Sequence, residues 1–411
     1  MRRSAAPAVD LTSVWPRDGR LLFATRVIRL FAYGLISVVL ALHLAQMGFG
    51  EAQIGMLLTL MLAGDAALSL WMTTRADRLG RRPMLLAGAV LMIVAGAAFA
   101  LVESWPALTL AAIVGTLSPS GNEVGAFLPI EQAGLAQTIP DRQRTHVFAW
   151  YNLAGSLATA CGALVGGASV QWLLPFGVAP LASYRLVFAA YAGLGAVLLI
   201  LFSRLSSAVE ATHPPPAAGP FGLSRSRRIV ARLSALFALD AFAGGLILQS
   251  LVAYWFSVRF GADPAVIGAI FFGGNILAGL SALAAARIAA RIGLVPTMVF
   301  THIPSNVLLM LVPLMPSLPL AVAVLLTRFS LSQMDVPTRQ SYVMAVVDPA
   351  ERSAAAGLTG LARTVGAACS PLLAGLLLGG GWLSAPFWAA GGLKIAYDLA
   401  LYHNFRRVTP P

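Results

Sequence analysis

The chain has 411 residues and a formal net charge of +12; 58% of its residues are hydrophobic and only 11% are charged. Its mean hydropathy of +0.80 excludes a water-soluble fold of this length and is typical of a polytopic membrane protein. A basic chain could bind nucleic acid, but the distribution of the charges over the loops argues against a nucleic-acid partner.

Apolar segments long enough to cross a bilayer follow one another along the chain. A spanning helix needs about 20 apolar residues to cross a hydrocarbon core ~30 Å thick. Backbone polar groups in lipid must bond internally, and the sequence lacks the alternation of a membrane β-barrel, so the predicted fold class is an all-α membrane protein. We predict twelve transmembrane helices, called spans 1 to 12: 21–46, 53–74, 84–102, 106–130, 146–172, 186–203, 229–257, 264–288, 296–314, 318–340, 353–378 and 383–402.

Arginines concentrate in every second loop, including those that contain Arg75, Arg142 and Arg291. The intervening loops are nearly free of them, with Arg185 and Arg259 as the exceptions. Positive charge favours the cytoplasmic side, so both termini and the central loop are expected in the cytoplasm. The first 20 residues lack the features of a signal peptide. We expect a multi-pass protein of the plasma membrane, which in a bacterium is the inner membrane.

The loop between spans 2 and 3 reads Ala76-Asp77-Arg78-Leu79-Gly80-Arg81-Arg82-Pro83. This D-R-x-G-R-R pattern after the second of twelve spans resembles the signature loop of the major facilitator superfamily of secondary transporters. The resemblance implies two pseudo-symmetric six-helix bundles that alternate access to a central site. It also implies that Asp77 faces the cytoplasmic start of span 11 and that Arg81 reaches an acid on span 4, for which Glu131 is the best candidate. The loop residues expected to act in gating are Asp77, Arg78, Gly80, Arg81 and Arg82.

The second half of the chain repeats the first. A shift of 208 residues places Pro129-Ile130-Glu131-Gln132 on Pro337-Thr338-Arg339-Gln340, and a shift of 213 places the signature loop on a degraded copy at 290–296. A polar, proline-rich stretch separates the two copies. The predicted domains are an N-terminal bundle, a cytoplasmic linker and a C-terminal bundle, at 1–203, 204–228 and 229–411.

Signals for enzymatic chemistry are weak. The five histidines do not pair at metal-ligand spacing, and neither a phosphate-binding loop nor a dinucleotide fingerprint occurs. Cys161 and Cys369, the only cysteines, lie mid-span at repeat-related positions and are interpreted as small packing residues. We therefore expect no catalytic residue, no metal and no cofactor.

Ionisable side chains within the membrane are costly and usually face the bundle interior. At ~1.5 Å per residue, several lie roughly 10–17 Å from the nearest predicted span end: Asp65, Glu123, Asp240, Arg328, Arg363 and Lys394. Each either binds substrate or protons or belongs to a structural ion pair; for Lys394 we expect a local pair with Asp398 at i+4. The resemblance implies that spans 1, 4, 7 and 10 line the central cavity, which favours Asn122, Glu123, Asp240 and Arg328.

Two spans carry further polar patterns. In span 10, Arg328, Asp335 and Arg339 are seven and four residues apart, which makes one polar stripe. In span 4, the Gly and Pro residues of 118–123 predict either a break that frees backbone groups for a ligand or a simple kink.

Because no ATP-binding motif is present, uphill transport must draw on an ion gradient. The sequence thus predicts a secondary active transporter that moves a small solute by alternating access, coupled to protons, with efflux one possible direction. The basic residues favour an anionic or zwitterionic solute. The alternatives are a facilitated uniporter, a proton-coupled uptake carrier for an anion and, from another class, a non-transporting receptor or intramembrane enzyme. We expect the protein to be surrounded by membrane lipid and to act as a monomer.

Three residue roles complete the prediction. Glu123, with no basic residue within one helical turn, is expected to take up and release protons. Arg328 is expected to anchor the substrate, since its guanidinium fork suits carboxylate or phosphate groups. Glu131 and Arg339, equivalent in the repeat but opposite in charge, are expected to meet at a cytoplasmic gate. The alternative for the gating charges is that they only set topology.

Overall fold

A computed structural model describes residues 17–123, 125–139, 141–211, 225–348 and 351–405 of the chain. The central part of the predicted linker, 212–224, lies outside the described residues. The described residues form helices and contain no β-strand. The helices are α1 (Arg17–Gln46), α2 (Glu51–Leu79), α3 (Arg81–Leu101), α4 (Trp105–Val114), α5 (Phe127–Thr138), α6 (Asp141–Leu173), α7 (Pro180–Ser203), α8 (Arg227–Gly245), α9 (Gln249–Phe260), α10 (Pro264–Ile292), α11 (Leu294–Leu311), α12 (Leu318–Phe329), α13 (Asp335–Val346), α14 (Arg352–Ala368), α15 (Pro371–Gly379) and α16 (Ala385–Phe405).

These helices are consistent with the twelve predicted spans, although the number of helices is not twelve. Within the described residues, nine helical stretches are long and apolar enough to cross a membrane, and two shorter apolar helices are Trp105–Val114 and Leu318–Phe329. Spans 4, 7, 10 and 11 are not continuous: each is built from two helices, namely α4 with α5, α8 with α9, α12 with α13 and α14 with α15.

The helices pack as two groups with the same internal arrangement. In the N-terminal group (α1–α7), α1 packs along α6, and in the C-terminal group (α8–α16), α8 packs along α14. Between the groups, α2 contacts α14 and α15, α6 contacts α10, and α1 contacts α9. The repeat seen in the sequence is therefore a repeat of helix packing.

Two glycine contacts join the groups at the end of the molecule where α1 leads into α2, called here the α1–α2 end. A Cβ atom on Gly55 would lie 3.0 Å from the Cα of Gly375, and one on Gly167 would lie 3.0 Å from the Cα of Gly268. Gly268 follows Gly55 by 213 residues and Gly375 follows Gly167 by 208, the two shifts of the repeat. The two contacts are therefore equivalent under the sequence repeat, and both need glycine because a side chain would not fit.

The cysteines do not pack in the interior. Cys161 and Cys369 are both exposed. On α6, Cys161 lies four residues after the exposed Leu157 and four before the exposed Val165, so it belongs to the outward-facing stripe of the helix. The interpretation of the cysteines as packing residues was wrong, because the small apolar pattern around them does not reveal which face turns outward.

Candidate functional site

Span 4 is interrupted between Val114 and Phe127, in the middle of the N-terminal group. Gly121 and Gly125 have φ values of +71° and +75°, which favour glycine, and Pro119 lacks a backbone N–H. The Thr159 hydroxyl donates to the Gly121 carbonyl at 3.2 Å. Such partners are required for non-helical backbone at membrane depth. The predicted break is therefore present, and we call residues 115–126 the span 4 break.

A matching interruption lies in span 10, between Phe329 and Asp335. The helix that follows it, α13, has 12 residues like α5, and it begins 208 residues after α5. Across the groups, the Ser250 N–H donates to the Pro119 carbonyl at 3.0 Å, and the Gln249 amide donates to the Ser37 hydroxyl at 2.7 Å. The span 4 break therefore borders the second group near the centre of the molecule, and its Asn122 side chain is exposed.

A buried ion-pair cluster ties α1 to span 4 in the N-terminal group. The Arg29 guanidinium donates to both carboxylate oxygens of Glu131, at 2.6 and 2.8 Å, and to Glu123 at 2.9 Å. Arg26 donates to Glu123 at 2.6 Å. Arg29 and Glu131 have no exposed side-chain surface, whereas Glu123 is 16% exposed. The expectation that Glu123 has no basic neighbour holds along its own span and fails in space, because α1 supplies two arginines.

A second cluster fills the C-terminal group around Asp240 of α8. Lys394 donates to this carboxylate at 2.6 Å and Arg363 at 2.9 Å, and Arg339 lies at 3.5 Å. Arg339 also binds Asp335 at 2.6 Å along α13. The side chain of Arg363 is 33% exposed. The structure thus brings together Asp240, Asp335, Arg339 and Arg363.

The expected local pair of Lys394 with Asp398 is not made. Lys394 turns to Asp240 of α8, and Asp398 instead binds His302 at 2.9 Å and accepts from the Asn306 amide at 3.1 Å. The i+4 spacing brings two side chains onto one face, but the buried carboxylate of another helix is the stronger partner for the ammonium group.

The two clusters occupy equivalent places in the repeat. Gly34 of α1 lies against the Thr159 carbonyl of α6, where a Cβ would be 2.1 Å from the oxygen. Gly245 of α8 lies against the Ala367 carbonyl of α14 in the same way, at 2.4 Å. Gly245 follows Gly34 by 211 residues and Ala367 follows Thr159 by 208, so span 1 matches span 7 with a shift of 211.

In this register the central ion pair is repeated with its charges exchanged. Asp240 takes the place of Arg29, and Arg339 takes the place of Glu131. Arg29 binds Glu131 in one group, and Arg339 lies against Asp240 in the other. The opposite charges of Glu131 and Arg339 in the sequence therefore reflect partners within each group. In this conformation both side chains are buried inside their own group rather than facing each other at the membrane surface.

Two candidate residues lack a charged partner in contact among the described side chains. Asp65 of α2 is 7% exposed, and its Oδ1 atom has no hydrogen-bond partner. Arg328 of α12 is half-buried, its Nε–H is unpartnered, and its guanidinium lies 5.3 Å from the ring centre of Phe329. These two residues are the unsatisfied charges of the site.

Comparison with known proteins agrees with this arrangement. The protein-family model described as Major Facilitator Superfamily matches residues 22–259, more than half of the chain. The chain belongs to the Major Facilitator Superfamily. It is 29% identical over 418 residues to an uncharacterized membrane protein of Saccharomyces cerevisiae, YJR124C, covering 94% of this chain and 93% of that one. This facilitator is therefore a multi-pass membrane transporter and not an enzyme.

Solved structures of facilitators share the fold. The nucleoside transporter NupG superposes with a TM-score of 0.71 at 14% identity, covering 96% of this chain and all of that one. An inward-facing, unoccupied bacterial homolog of the human lysosomal transporter Spinster superposes with a TM-score of 0.66 at 15% identity, over 93% of this chain and 94% of that one. At these identities the likeness concerns the fold alone.

The signature loop of this facilitator bonds within the N-terminal group and to the segment that follows α7. Arg81 donates to Asp77 at 2.8 Å, to the Val209 carbonyl at 3.1 Å and to Gln137. It does not reach Glu131 in this conformation, because that carboxylate is held by Arg29 deeper in the group. Gly80, with a φ of +101°, makes the turn that ends α2, while Arg78 is exposed and Arg82 binds the Ser203 carbonyl.

Sequence reasoning missed an acid that holds this loop. The carboxylate of Glu210, just beyond α7, accepts the backbone N–H groups of Arg81 at 2.6 Å and Arg82 at 3.1 Å. These N–H groups open α3, where the helix dipole favours a negative charge. Nothing in the spacing of Glu210 marks this contact. Arg26 and Arg29 were also missed, although two arginines inside a predicted span were a usable signal.

Proposed function

We propose that this facilitator is a secondary active transporter that moves a small organic anion by alternating access, coupled to protons. The observation that carries the proposal is the Arg328 guanidinium beside the span 10 break, whose Nε–H has no partner and which contacts no carboxylate among the described residues. Asp335 of the same span binds Arg339 instead, and Glu123 of span 4 binds Arg26 and Arg29. A permanently charged group left without a counter-ion inside a membrane protein suits an anionic ligand.

Arg363 supports the same assignment. It shares Asp240 with Lys394 and Arg339, so three cations surround one carboxylate, and Arg363 is the most exposed of the three. Its remaining N–H groups suit a second contact with a carboxylate or phosphate. Asn122, exposed on the span 4 break, provides a neutral polar contact on the opposite wall. We assign Arg328 and Arg363 to the anion, and Asn122 to the body of the solute.

Coupling and direction belong to this proposal. A chain without an ATP-binding motif depends on a gradient for uphill transport, and efflux and uptake use the same alternating site. A facilitated uniporter is the second candidate, because most carboxylates within the spans, including Glu123, Glu131 and Asp240, are held by cations and so are poorly suited to exchange protons. A zwitterionic solute is the alternative to a simple anion.

The orientation is proposed from the arginine-rich loops. Both termini and the linker at 204–228 are assigned to the cytoplasm, between bundles at 1–203 and 229–411, in the plasma membrane and, in a bacterium, the inner membrane. The α1–α2 end is then external, and the glycine contacts of Gly55 and Gly167 close it, which corresponds to an inward-facing monomer. We assign Asp77 and Arg81 to the cytoplasmic gate, and Glu131 and Arg339 to ion pairs that stabilise each bundle.

Ligand-induced thermal stabilisation of the purified protein tests the anion site. The panel is acetate, benzoate and inorganic phosphate as anions, glycine as a zwitterion and tetramethylammonium as a cation. We expect an anion to raise the unfolding midpoint, and Arg328→Lys to weaken its binding about tenfold, or ~1.4 kcal/mol. Arg259→Lys, at an exposed position outside the site, is the matched control. Stabilisation by the cation alone, or equal anion binding in Arg328→Lys and the parent protein, contradicts the proposal.

A further inference from the structure

Most of the ionisable side chains inside the two groups are held in ion pairs. In the N-terminal group two arginines face two glutamates, and in the C-terminal group three cations share two aspartates, Asp240 and Asp335. Outside these pairs, one acid in the N-terminal group, Asp65, and one base in the C-terminal group, Arg328, lack a charged partner in contact among the described residues. These two charges are opposite in sign and lie on different sides of the inter-group boundary.

Asp65 is buried beside a close contact between α2 and α4. The neighbouring Gly64 packs backbone to backbone on α4, since a Cβ there would lie 2.1 Å from the Ile113 carbonyl oxygen. The carboxyl group has one hydrogen bond, from the backbone of Gly125, and its Oδ1 atom has none. The titratable groups that face it are Tyr33 of α1, Tyr191 of α7 and Glu123 of the span 4 break.

None of these neighbours is a cation. An ionised carboxylate at this place would have neither a counter-charge nor enough hydrogen bonds, which is strongly unfavourable in a low-dielectric interior. The buried carboxylates Glu131 and Asp240 each have a cation in contact, and Asp398 has two side-chain partners, His302 and Asn306. Asp65 is thus the carboxyl group of the site that is best suited to hold a proton in this conformation.

The span 4 break connects Asp65 to Asn122, which is assigned to the solute. Gly125, which bonds Asp65, is three residues from Asn122, whose side chain is exposed, and two from the partly exposed Glu123. A movement of this segment on solute binding would remove the hydrogen bond that Gly125 makes to the Asp65 carboxyl group or open that group to water. Solute occupancy and proton occupancy would then be linked through one short backbone segment.

We propose that Asp65 is the proton-binding residue of the transport cycle, and that one proton on Asp65 accompanies one negative charge bound at Arg328. The proton comes from the solution on the side of entry and returns to the solution on the side of exit. Proton and monoanion together add no net charge to the carrier, so their co-transport is electroneutral. The inference rests on the proposed anion site for the identity of the second charge.

Infrared spectroscopy of the purified protein tests the proton site without any solute. Spectra at neutral pH in H₂O and D₂O are expected to contain the carbonyl stretch of a buried protonated carboxyl group, which Asp65→Asn removes and Asp65→Glu retains at a shifted frequency. Glu103→Gln, at a 71% exposed carboxylate, is the matched control and should leave the band unchanged. A wild-type spectrum without the band, or an unchanged band in Asp65→Asn, overturns the proposal.

Transport tests the coupling, with the panel anion that gives the largest Arg328-dependent stabilisation. In liposomes, the parent protein should accumulate that anion in response to a pH gradient and should be indifferent to an imposed membrane potential. Asp65→Asn should retain anion exchange, lose the pH-driven accumulation and become sensitive to the potential. Accumulation that persists in Asp65→Asn, or potential-dependent uptake by the parent, overturns the inference. A panel in which no anion binds contradicts the anion site, while the infrared result still decides on Asp65.

Discussion

The stability of the N-terminal group is predicted to depend strongly on one buried carboxylate, Glu131. It accepts two N–H groups of Arg29 at 2.6 and 2.8 Å and the Thr25 hydroxyl at 2.9 Å, and it has no exposed surface. Without the charge of Glu131, Arg26 and Arg29 would share Glu123 alone, which leaves one excess positive charge in a low-dielectric interior. Breaking a buried pair in this way costs roughly 3–5 kcal/mol. We expect Glu131→Gln to lower the free energy of unfolding by about this amount.

A surface pair in the same protein provides the control. Arg185 binds Glu103, and their side chains are 30% and 71% exposed. Solvated pairs contribute only ~0–1 kcal/mol, so Glu103→Gln, which makes the same chemical change, should have little effect. Equilibrium unfolding of the purified variants in mixed micelles, at increasing mole fractions of sodium dodecyl sulfate, measures both.

A double-mutant cycle separates the ion pair from unrelated effects of the substitutions. Since Arg29 and Glu131 are in contact, the double variant Arg29→Gln with Glu131→Gln should cost less than the sum of the two single variants. The reasoning is refuted if Glu131→Gln is no more destabilising than Glu103→Gln, or if the costs of the single variants simply add.

Three further predictions concern the transport cycle. Gly55→Val should prevent closure at the α1–α2 end, because a Cβ there would lie 2.5 Å from the Pro371 carbonyl. A reporter cysteine introduced at Ser37 should then become more reactive. Gly193→Val, where the added Cβ meets nothing within 4 Å, is the control and should leave this reactivity unchanged. Asp77→Asn should increase the labelling of cysteines on the cytoplasmic side by favouring the inward-open state, and unchanged labelling would remove Asp77 from the gate. Glu123→Gln should keep proton-driven transport, since the Glu123 carboxylate is held by two arginines. Loss of proton coupling in this variant would instead identify Glu123 as the proton-binding residue.

The sequence predicts the membrane architecture well because burial in lipid imposes long apolar runs, and these runs identify each span. The break in span 4 follows from Gly121, Gly125 and Pro119, whose backbone preferences are local. The break in span 10 has no such cause before Asp335: the segment Ser330–Met334 contains neither Gly nor Pro. Its geometry depends on tertiary contacts, such as the bond from the Gln333 N–H to the Ser281 hydroxyl at 3.3 Å.

The partners of the charged residues were the least predictable part of the site. The distance from the span ends predicted that Asp240, Arg328 and Arg363 lie deep in the membrane. It did not predict that Asp240 would be shared by three cations while Arg328 has no contact with an anion. Partner choice depends on which helix faces which, and the spacing within one span carries no such information. The sequence repeat shows that Glu131 and Arg339 are equivalent positions. That each binds a partner inside its own group became clear only from the structure, in which Arg29 and Asp240 are also equivalent and opposite in charge.

The measurement that tests the central claim most directly is the accumulation of a radiolabelled organic anion in liposomes that contain the purified protein. With the panel anion that binds best, we expect uptake beyond equilibrium when a pH gradient drives protons in the direction of transport, and its loss when the gradient is collapsed. Arg328→Lys should reduce this uptake about tenfold at low solute concentration, in line with ~1.4 kcal/mol of lost binding, while Arg259→Lys should not. Equal uptake by Arg328→Lys and the parent protein, or accumulation of tetramethylammonium in place of the anion, would contradict the claim.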